Sequence, residues 1–284
     1  MRSSLLTEVQ HRAADAGLNL FGLVDADRFD AAQTPERRVR ALVPSCGTVI
    51  VVGSGGRGLW QRFANAPGSA AGAASKAASG FVATGGFQAV GGFANRGAGM
   101  AGVDGYAHGI VDGLASMLFG ASIRSRVVMS SCTARLPFAK LGEAAGFGTV
   151  SPVSGLLIHP EFGPWVRVRA AVLVEGAPFG AVDDASISER FQPCCGCSRP
   201  CVAACPAGVH DGLGGSDLAR CAQHRHDGNC VSNCGSRSAC PVGSEHRDGP
   251  GEHAHRHTHP LRSMQRWYGF GVWRFVPGAW RGRP

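Results

Sequence analysis

The most distinctive stretch of this chain is Cys194-Cys195-Gly196-Cys197-Ser198-Arg199-Pro200-Cys201-Val202-Ala203-Ala204-Cys205-Pro206. Further cysteines follow it in sequence at Cys221, Cys230, Cys234 and Cys240, the last directly before Pro241. Nine of the 11 cysteines therefore lie between residues 194 and 240. Both groups end in Cys-Pro, a pair at which the chain turns away from a cysteine loop and starts a helix.

The spacing favours two 4Fe–4S clusters. Each cluster has four irons that each need one thiolate, so three close cysteines bind three corners and a distant cysteine binds the fourth. In two-cluster ferredoxins the Cys before Pro binds the other cluster. We therefore predict two ligand sets, Cys194, Cys197, Cys201 and Cys240 for the first cluster, and Cys205, Cys221, Cys230 and Cys234 for the second.

The same residues leave alternatives open. Cys195 is close enough in sequence to replace Cys194 or Cys197, while Cys46 and Cys132 remain outside both sets. Zinc is a second candidate metal, because C-x2-C pairs with nearby His224 and His226 match mixed sulfur and nitrogen coordination. A disulfide framework would need an oxidising compartment. Residues 1–12 have no sustained apolar run and predict an amphipathic helix rather than a secretory leader, so we expect a cytoplasmic protein.

Composition describes a globular chain with a basic surface. The 284 residues are 44% hydrophobic and carry a formal net charge of +8, which is enough chain for a sizeable core plus a small appended module. No stretch is long and apolar enough to span a membrane. We expect the positive charge to attract an acidic electron donor such as a flavodoxin or ferredoxin. Nucleic-acid binding rests on charge alone and is not favoured, and the sequence leaves the oligomeric state open.

The N-terminal part alternates helix and strand patterns, which predicts an α/β domain built as an α+β layered sheet. Residues 5–16 have helical spacing, 18–24 favour a strand, and 48–52 form a β-branched run typical of a strand buried on both faces. The Gly53-Ser54-Gly55-Gly56-Arg57-Gly58 match to a dinucleotide fingerprint lacks the acidic residue expected about 20 positions later. We therefore interpret it as a strand-to-helix turn before residues 59–63.

The rest of the N-terminal part is less patterned. Residues 64–120 are rich in Gly, Ala and Ser, which favours a loosely packed region or an insertion, with an apolar segment at 110–119. Residues 136–148 predict a short helix closed by glycine. Residues 155–165 and 166–174 then predict two strands of a hairpin that docks the cysteine module on the sheet. Within the hairpin turn, His159 either caps the turn, which we favour, or contacts a cofactor.

Taken together, these motifs resemble the epoxyqueuosine reductase family, iron–sulfur proteins related to reductive dehalogenases. The resemblance lies in Ala145-Gly146-Phe147-Gly148, in the Leu156 to Trp165 segment and in the cysteine module, whose end at Cys240 to Arg247 looks most like an uncharacterised branch. It implies an α/β domain at residues 1–185 that resembles the family's cofactor-binding domain. A ferredoxin-type module would follow at residues 186–247, and a His/Arg/Gly/aromatic tail at 248–284.

The resemblance also implies a function. A corrinoid (cobalamin) would bind beside the first cluster, with electrons passing from the second cluster through the first to cobalt. The family's acidic proton donor would fall near Cys132, where this chain has no carboxylate, so epoxide reduction on tRNA is not expected. The leading hypothesis is an iron–sulfur oxidoreductase whose catalytic residues the sequence does not identify. The second is a ferredoxin-like electron carrier that has lost its cofactor site.

The tail contains four histidines at alternate positions, His253, His255, His257 and His259. They either hold a metal or belong to a solvated, disordered segment, and composition favours the second interpretation. The aromatic residues near the C-terminus are unusual for pure disorder, so we expect them to cover part of the first domain or a partner.

Overall fold

A computed structural model describes residues 2–66, 102–131, 136–213, 215–277 and 280, and only the backbone of residues 257–263. The N-terminal part contains the helices α1 (Arg2–Asp15), α2 (Ala26–Ala31), α3 (Gly58–Asn65), α4 (Val103–Gly120) and α5 (Phe138–Ala144). Its strands are β1 (Leu20–Asp25), β2 (Cys46–Gly55), β3 (Ser125–Met129), β4 (Thr149–Val150), β5 (Leu157–Ile158) and β6 (Val166–Glu175).

The main sheet has the strand order β1-β2-β6-β3, and every neighbouring pair is antiparallel. The architecture is therefore α+β, which confirms the predicted α+β layered sheet, while the narrower α/β description of this domain is corrected. Alternating helices and strands do not specify strand direction, because direction depends on whether each connection crosses the sheet. The short α2 and the 3-10 turns after it return the chain beside β1 instead of crossing over.

Helices cover both faces of this sheet. Ile50 and Val52 of β2 pack with α1, α3 and α4, whereas Val49 and Val51 pack on the opposite face with α2 and α5. Nine of the ten β2 residues are buried, which confirms the prediction that this β-branched run lies inside on both faces. The glycine-rich turn at its end leads directly into α3, as the sequence predicted.

The predicted hairpin of residues 155–165 and 166–174 is wrong. β5 pairs with β4, while β6 lies between β2 and β3 and uses both of its edges there. The intervening residues form their own tight turn, in which His159 and Gly163 exchange two backbone hydrogen bonds of 2.9 Å each. A period-two pattern identifies β6 as a strand but does not identify the strands that pair with it.

The C-terminal part is helical. It contains α6 (Pro200–Ala203), α7 (Leu218–His226), α8 (Gly235–Ser238) and α9 (Pro250–Tyr268). The long α9 corrects the expected disordered tail. Pro250 begins it, and Gly269 ends it with a φ of 74°, both favoured positions for these residues. Within the described helices, no segment has the length and apolar character needed to cross a bilayer.

Candidate functional site

The first predicted ligand set lies around one cavity. Its four members come from the loop before α6, from α6 itself and from the residue before Pro241, and they line this cavity together: Cys194, Cys197, Cys201 and Cys240. The loop is tight because Gly196 and Arg199 both have positive φ, 74° and 58°. Pro200 then begins α6. Four thiols around one cavity are the donor set that a 4Fe–4S cluster requires, so the residues fit this group.

Polar contacts reach two of these sulfurs. Ser151 Oγ lies 3.3 Å from Cys194 Sγ, and the Arg199 amide donates to Cys197 Sγ at 3.4 Å. Burial raises the pKa of Cys201, and the neighbouring Cys194 and Cys197 raise it further. Hydrogen bonds to sulfur and burial are among the factors that set the potential of a bound cluster.

The second predicted ligand set also lies together. The four residues line a larger cavity: Cys205, Cys221, Cys230 and Cys234. Cys221 is on α7, Cys234 precedes α8, and Cys230 has a positive φ of 57°. Burial raises the pKa of Cys230, as do Cys234, Cys221 and Cys205. The structure thus brings the eight cysteines together in the two predicted quartets, and their role as ligands stays a prediction.

The remaining cysteines lie elsewhere. Cys195 is exposed and lines neither cavity, while Cys132 is outside the described residues. Cys46 is fully buried, and burial raises its pKa to about 11, which makes it a core thiol. Across the part of the chain that is described, no three His, Cys, Asp or Glu side chains are grouped as a single metal ion would need. In a 4Fe–4S cluster each thiolate binds a different iron.

The two cavities share a mostly polar wall. Four residues line both cavities: Ser154, Leu156, Ser236 and Arg237. In the larger cavity, His210 bonds to Ser216 Oγ through Nδ1 and to Ser236 Oγ through Nε2, both at 2.8 Å. Ser216 Oγ donates to the Ser154 carbonyl, so Nδ1 carries the proton and Nε2 accepts from Ser236. Burial lowers the pKa of His210, which favours this neutral form.

The larger cavity has a volume of about 710 Å³, within the usual range for organic ligands. Its wall combines the second quartet with β6, the start of α4 and the start of α9. The larger cavity thus adjoins the second quartet, whereas the family resemblance predicts a cofactor beside the first cluster. Sequence reasoning missed this wall, since no motif links β6 to α9.

Arginines dominate the charges on this wall. Arg169 donates to Asp104 at 2.9 Å and to Ser54 at 3.1 Å, and Arg167 donates to Asp248 at 2.9 Å. Arg169 is only 5% exposed, and burial lowers its pKa to about 10, so it remains charged at neutral pH. Burial alone would raise the pKa of Asp248, but Arg167 and Arg256 outweigh burial and hold it below its usual value.

Two other predicted features are not part of either cavity. His159 Nδ1 accepts from the Glu161 and Phe162 amides at 3.0 and 3.1 Å, so His159 caps its turn, as favoured from the sequence. Gly55 exchanges hydrogen bonds with the Asn19 side chain and leaves no room for a Cβ against Phe162. The glycine-rich turn is therefore a packing feature.

The tail histidines also have structural partners. His253 Nε2 bonds to the Cys230 carbonyl at 3.0 Å, and His255 Nε2 accepts from the Val103 amide at 3.3 Å. His255 also packs on Trp60 at a ring distance of 5.1 Å. The side chains of His257 and His259 lie outside the described residues. His253 and His255 both line the larger cavity.

The fold and the cysteine module together define an α+β domain that carries a cysteine-rich helical module. No protein-family model and no curated protein matches the sequence. Solved structures with the same fold include a selenomethionine-labelled epoxyqueuosine reductase, at 17% identity and a TM-score of 0.56 over 89% of this chain and 69% of that one. The epoxyqueuosine reductase from Streptococcus thermophilus matches at 17% identity and a TM-score of 0.52, over 86% of this chain and 67% of that one.

A reductive dehalogenase, whose structure is described as suggesting a mechanism for B12-dependent dehalogenation, is also similar. It matches at 16% identity and a TM-score of 0.53 over 90% of this chain. The match spans only 34% of that dehalogenase. The chain therefore shares the fold of epoxyqueuosine reductases and reductive dehalogenases as a distant structural relative of both.

Proposed function

We propose that this protein is an iron–sulfur oxidoreductase that relays electrons through two 4Fe–4S clusters to a ligand in the 710 Å³ cavity. The observation that carries the proposal is the division of the eight cysteines between two adjacent cavities that share one wall. The similarity in fold to reductases supports the same reaction class. When bound, the clusters would supply one-electron transfer.

The arrangement of the cavities suggests a direction for the relay. The first quartet lies in a loop with the exposed residues Cys195 and Arg199, whereas the second adjoins the larger cavity. Electrons would therefore enter at the first quartet and leave from the second toward the ligand. This order reverses the one implied by the family resemblance. His210 holds Ser236 in the shared wall, and Ser151 and the Arg199 amide contact the sulfurs of the first quartet.

The cofactor and the electron donor follow from the same proposal. A corrinoid is the cofactor that the fold relatives suggest, and Ser130, His224 and Trp267 are wall residues that would hold it. We also propose an acidic flavodoxin or ferredoxin as donor, because the chain is basic and Arg199 is exposed beside Cys197. With this cofactor and this electron donor, we propose a cytoplasmic location for the protein.

A ferredoxin-like carrier without a reaction site is the second candidate. The observation that favours it is Cys132, at the position where the family resemblance predicts a carboxylate. Such a carrier would bind iron and undergo reduction but would bind neither a corrinoid nor another ligand in the larger cavity.

The test is anaerobic purification of the full chain, with iron, sulfide, cobalt and zinc measured on one sample beside visible and EPR spectra. We expect about eight irons per chain for two clusters, and two cluster signals after reduction. Cobalt in the same sample would support the corrinoid. Iron without cobalt and without any ligand in the cavity would favour the carrier. Zinc without iron would overturn both candidates.

A further inference from the structure

The wall of the larger cavity contains buried guanidinium groups with unused donors. Three nitrogens have no hydrogen-bond partner among the described residues: Arg167 Nη1, Arg169 Nη2 and Arg256 Nε. All three arginines line the cavity. A buried polar group without a partner marks a place where an ion or water is expected, and here all three such groups belong to residues that line one cavity.

The charges of this wall do not balance. Arg167, Arg169 and Arg256 of the wall, together with the half-exposed Arg57 outside it, form ion pairs with three carboxylates, Asp104, Asp248 and Glu252. Arg237, which lines the same cavity, brings the excess to two positive charges. A buried charge needs a partner, so the wall lacks about two negative charges.

We propose that this wall, through Arg167, Arg169 and Arg256, binds the phosphate of a phosphate monoester. Such a group carries a charge of about −1.5 to −2 at pH 7 and presents three acceptor oxygens, which matches the excess charge and the three unused donor nitrogens. A carboxylate or a phosphodiester carries only one negative charge. Arginine's planar fork also suits phosphate oxygens. As a statement about the substrate class, this inference rests on the proposed function, but as a binding site it rests on the cavity alone.

A second explanation for the positive charge is that it balances a cluster on the second quartet. Arg225 is placed for that role, because Cys221, Cys234 and Cys230 are the charged groups that act most strongly on it. Arg169 instead extends from β6 toward Asp104 on α4, on the sheet side of the cavity. The two explanations predict different effects when Arg169 is changed.

Calorimetric titration of the protein as purified tests the site, with inorganic phosphate as the probe at constant ionic strength. Dimethyl phosphate replaces it as the diester probe and acetate as the carboxylate probe. We expect one phosphate per chain, at least tenfold weaker binding of the other two, and stabilisation against heat by phosphate but not by matched chloride. Arg169→Gln and Arg256→Gln should each weaken phosphate binding about 10- to 100-fold, as expected for a charged hydrogen bond.

The exposed Arg124, which pairs with Glu175 at 2.6 Å, provides the matched control, and Arg124→Gln should not change phosphate binding. Arg169→Lys keeps the positive charge but loses the forked guanidinium, so it should bind phosphate with intermediate affinity. This variant tests the site if Arg169→Gln does not fold.

The proposal is overturned if wild type does not bind phosphate, binds all three probes equally, or binds phosphate equally well after both Gln substitutions. It is also overturned if Arg169→Gln loses iron but not phosphate, because the charge then serves the cluster. Phosphate binding by a protein that contains no iron would support the phosphate site and overturn the proposed electron relay. Iron in a protein that does not bind phosphate would support the relay and overturn the phosphate site.

Discussion

Glu252 Oε2 accepts a hydrogen bond from Arg57 Nε at 3.3 Å, although 195 positions separate the two residues in sequence. Glu252 is 1% exposed, and its other oxygen pairs with Arg256. The glycine-rich turn after β2 is therefore joined to the start of α9 by an ion pair in which Glu252 is buried and the Arg57 side chain is 45% exposed. This pair holds the tail against the sheet domain.

Removing Glu252 should loosen this attachment. Glu252→Ala removes the carboxylate that Arg57 and Arg256 share, while Arg256 keeps its contact with Asp248. Breaking a buried pair such as that of Glu252 with Arg256 typically costs about 3–5 kcal/mol. We expect a loss of this order in the free energy of unfolding, measured by denaturant titration. The exposed pair of Glu8 with Arg12 provides the control, because Glu8→Ala should cost less than about 1 kcal/mol. Equal losses in the two variants would contradict a buried attachment.

Asp248 should make the stability of the protein depend on acid pH. Its pKa is lowered in the folded state by Arg167 and Arg256, which outweigh the effect of burial. The stabilisation is therefore present above the pKa of the unfolded carboxyl, near 3.9, and is lost as the pH falls through the lower folded value. Thermal unfolding between pH 6 and pH 2 should show a steeper acid loss in wild type than in Asp248→Asn. Parallel curves would show that this carboxyl does not contribute.

Neighbouring cysteines in the first loop should differ in iron binding. Cys197 lines the first cavity, whereas Cys195 is exposed and does not. Cys197→Ser should therefore lose roughly half of the iron, since each cluster holds four. Cys195→Ser should keep all of it. Iron assay and EPR of the anaerobically purified variants measure this difference. Loss of iron from the Cys195 variant alone would show that Cys195, and not Cys197, is the ligand.

Gly163 is where the turn after β5 meets the cysteine module. A Cβ there would lie 1.8 Å from the Val242 carbonyl oxygen, and its φ is +54°. Gly163→Ala should cost clearly more than the roughly 1–2 kcal/mol of a left-handed alanine and should speed iron release to a chelator. Gly176 has a similar φ of +64° with nothing within 4 Å, so Gly176→Ala isolates the backbone cost. Similar losses in both variants would rule out close docking at Gly163.

Arg199 should contribute to the rate of reduction by an acidic donor. The residue is exposed beside Cys197, so Arg199→Glu should slow reduction by flavodoxin several-fold at low salt and little at high salt. Arg37 is equally an exposed arginine but belongs to the turn before β2. Arg37→Glu makes the same charge change there and should not alter the rate. Stopped-flow reduction at two salt concentrations measures both, and equal slowing would indicate net charge instead of a docking site.

Local patterns predicted much of this fold because they depend on neighbours in sequence. The apolar run of β2, the glycine end of α5 and the turn of residues 53–58 all lie where expected. The cysteine spacing also anticipated which thiols lie together, since a loop with Gly196 and a helix start at Pro200 restrict the paths of the chain. The hairpin and the disordered tail were wrong because strand pairing and helix docking depend on distant partners.

The sequence by itself therefore determined the local elements and the two groups of thiols, through spacing and the conformational limits of glycine and proline. Only the tertiary structure decided the antiparallel order of the sheet, the helical tail and the basic cavity. The cavity requires Arg167 and Arg169 of β6 to meet Asp248 and Arg256. Such long-range ion pairs leave no local pattern in the sequence, because a charged residue that will be buried looks the same there as one on the solvated surface. The pairing becomes necessary only when the fold buries the charge.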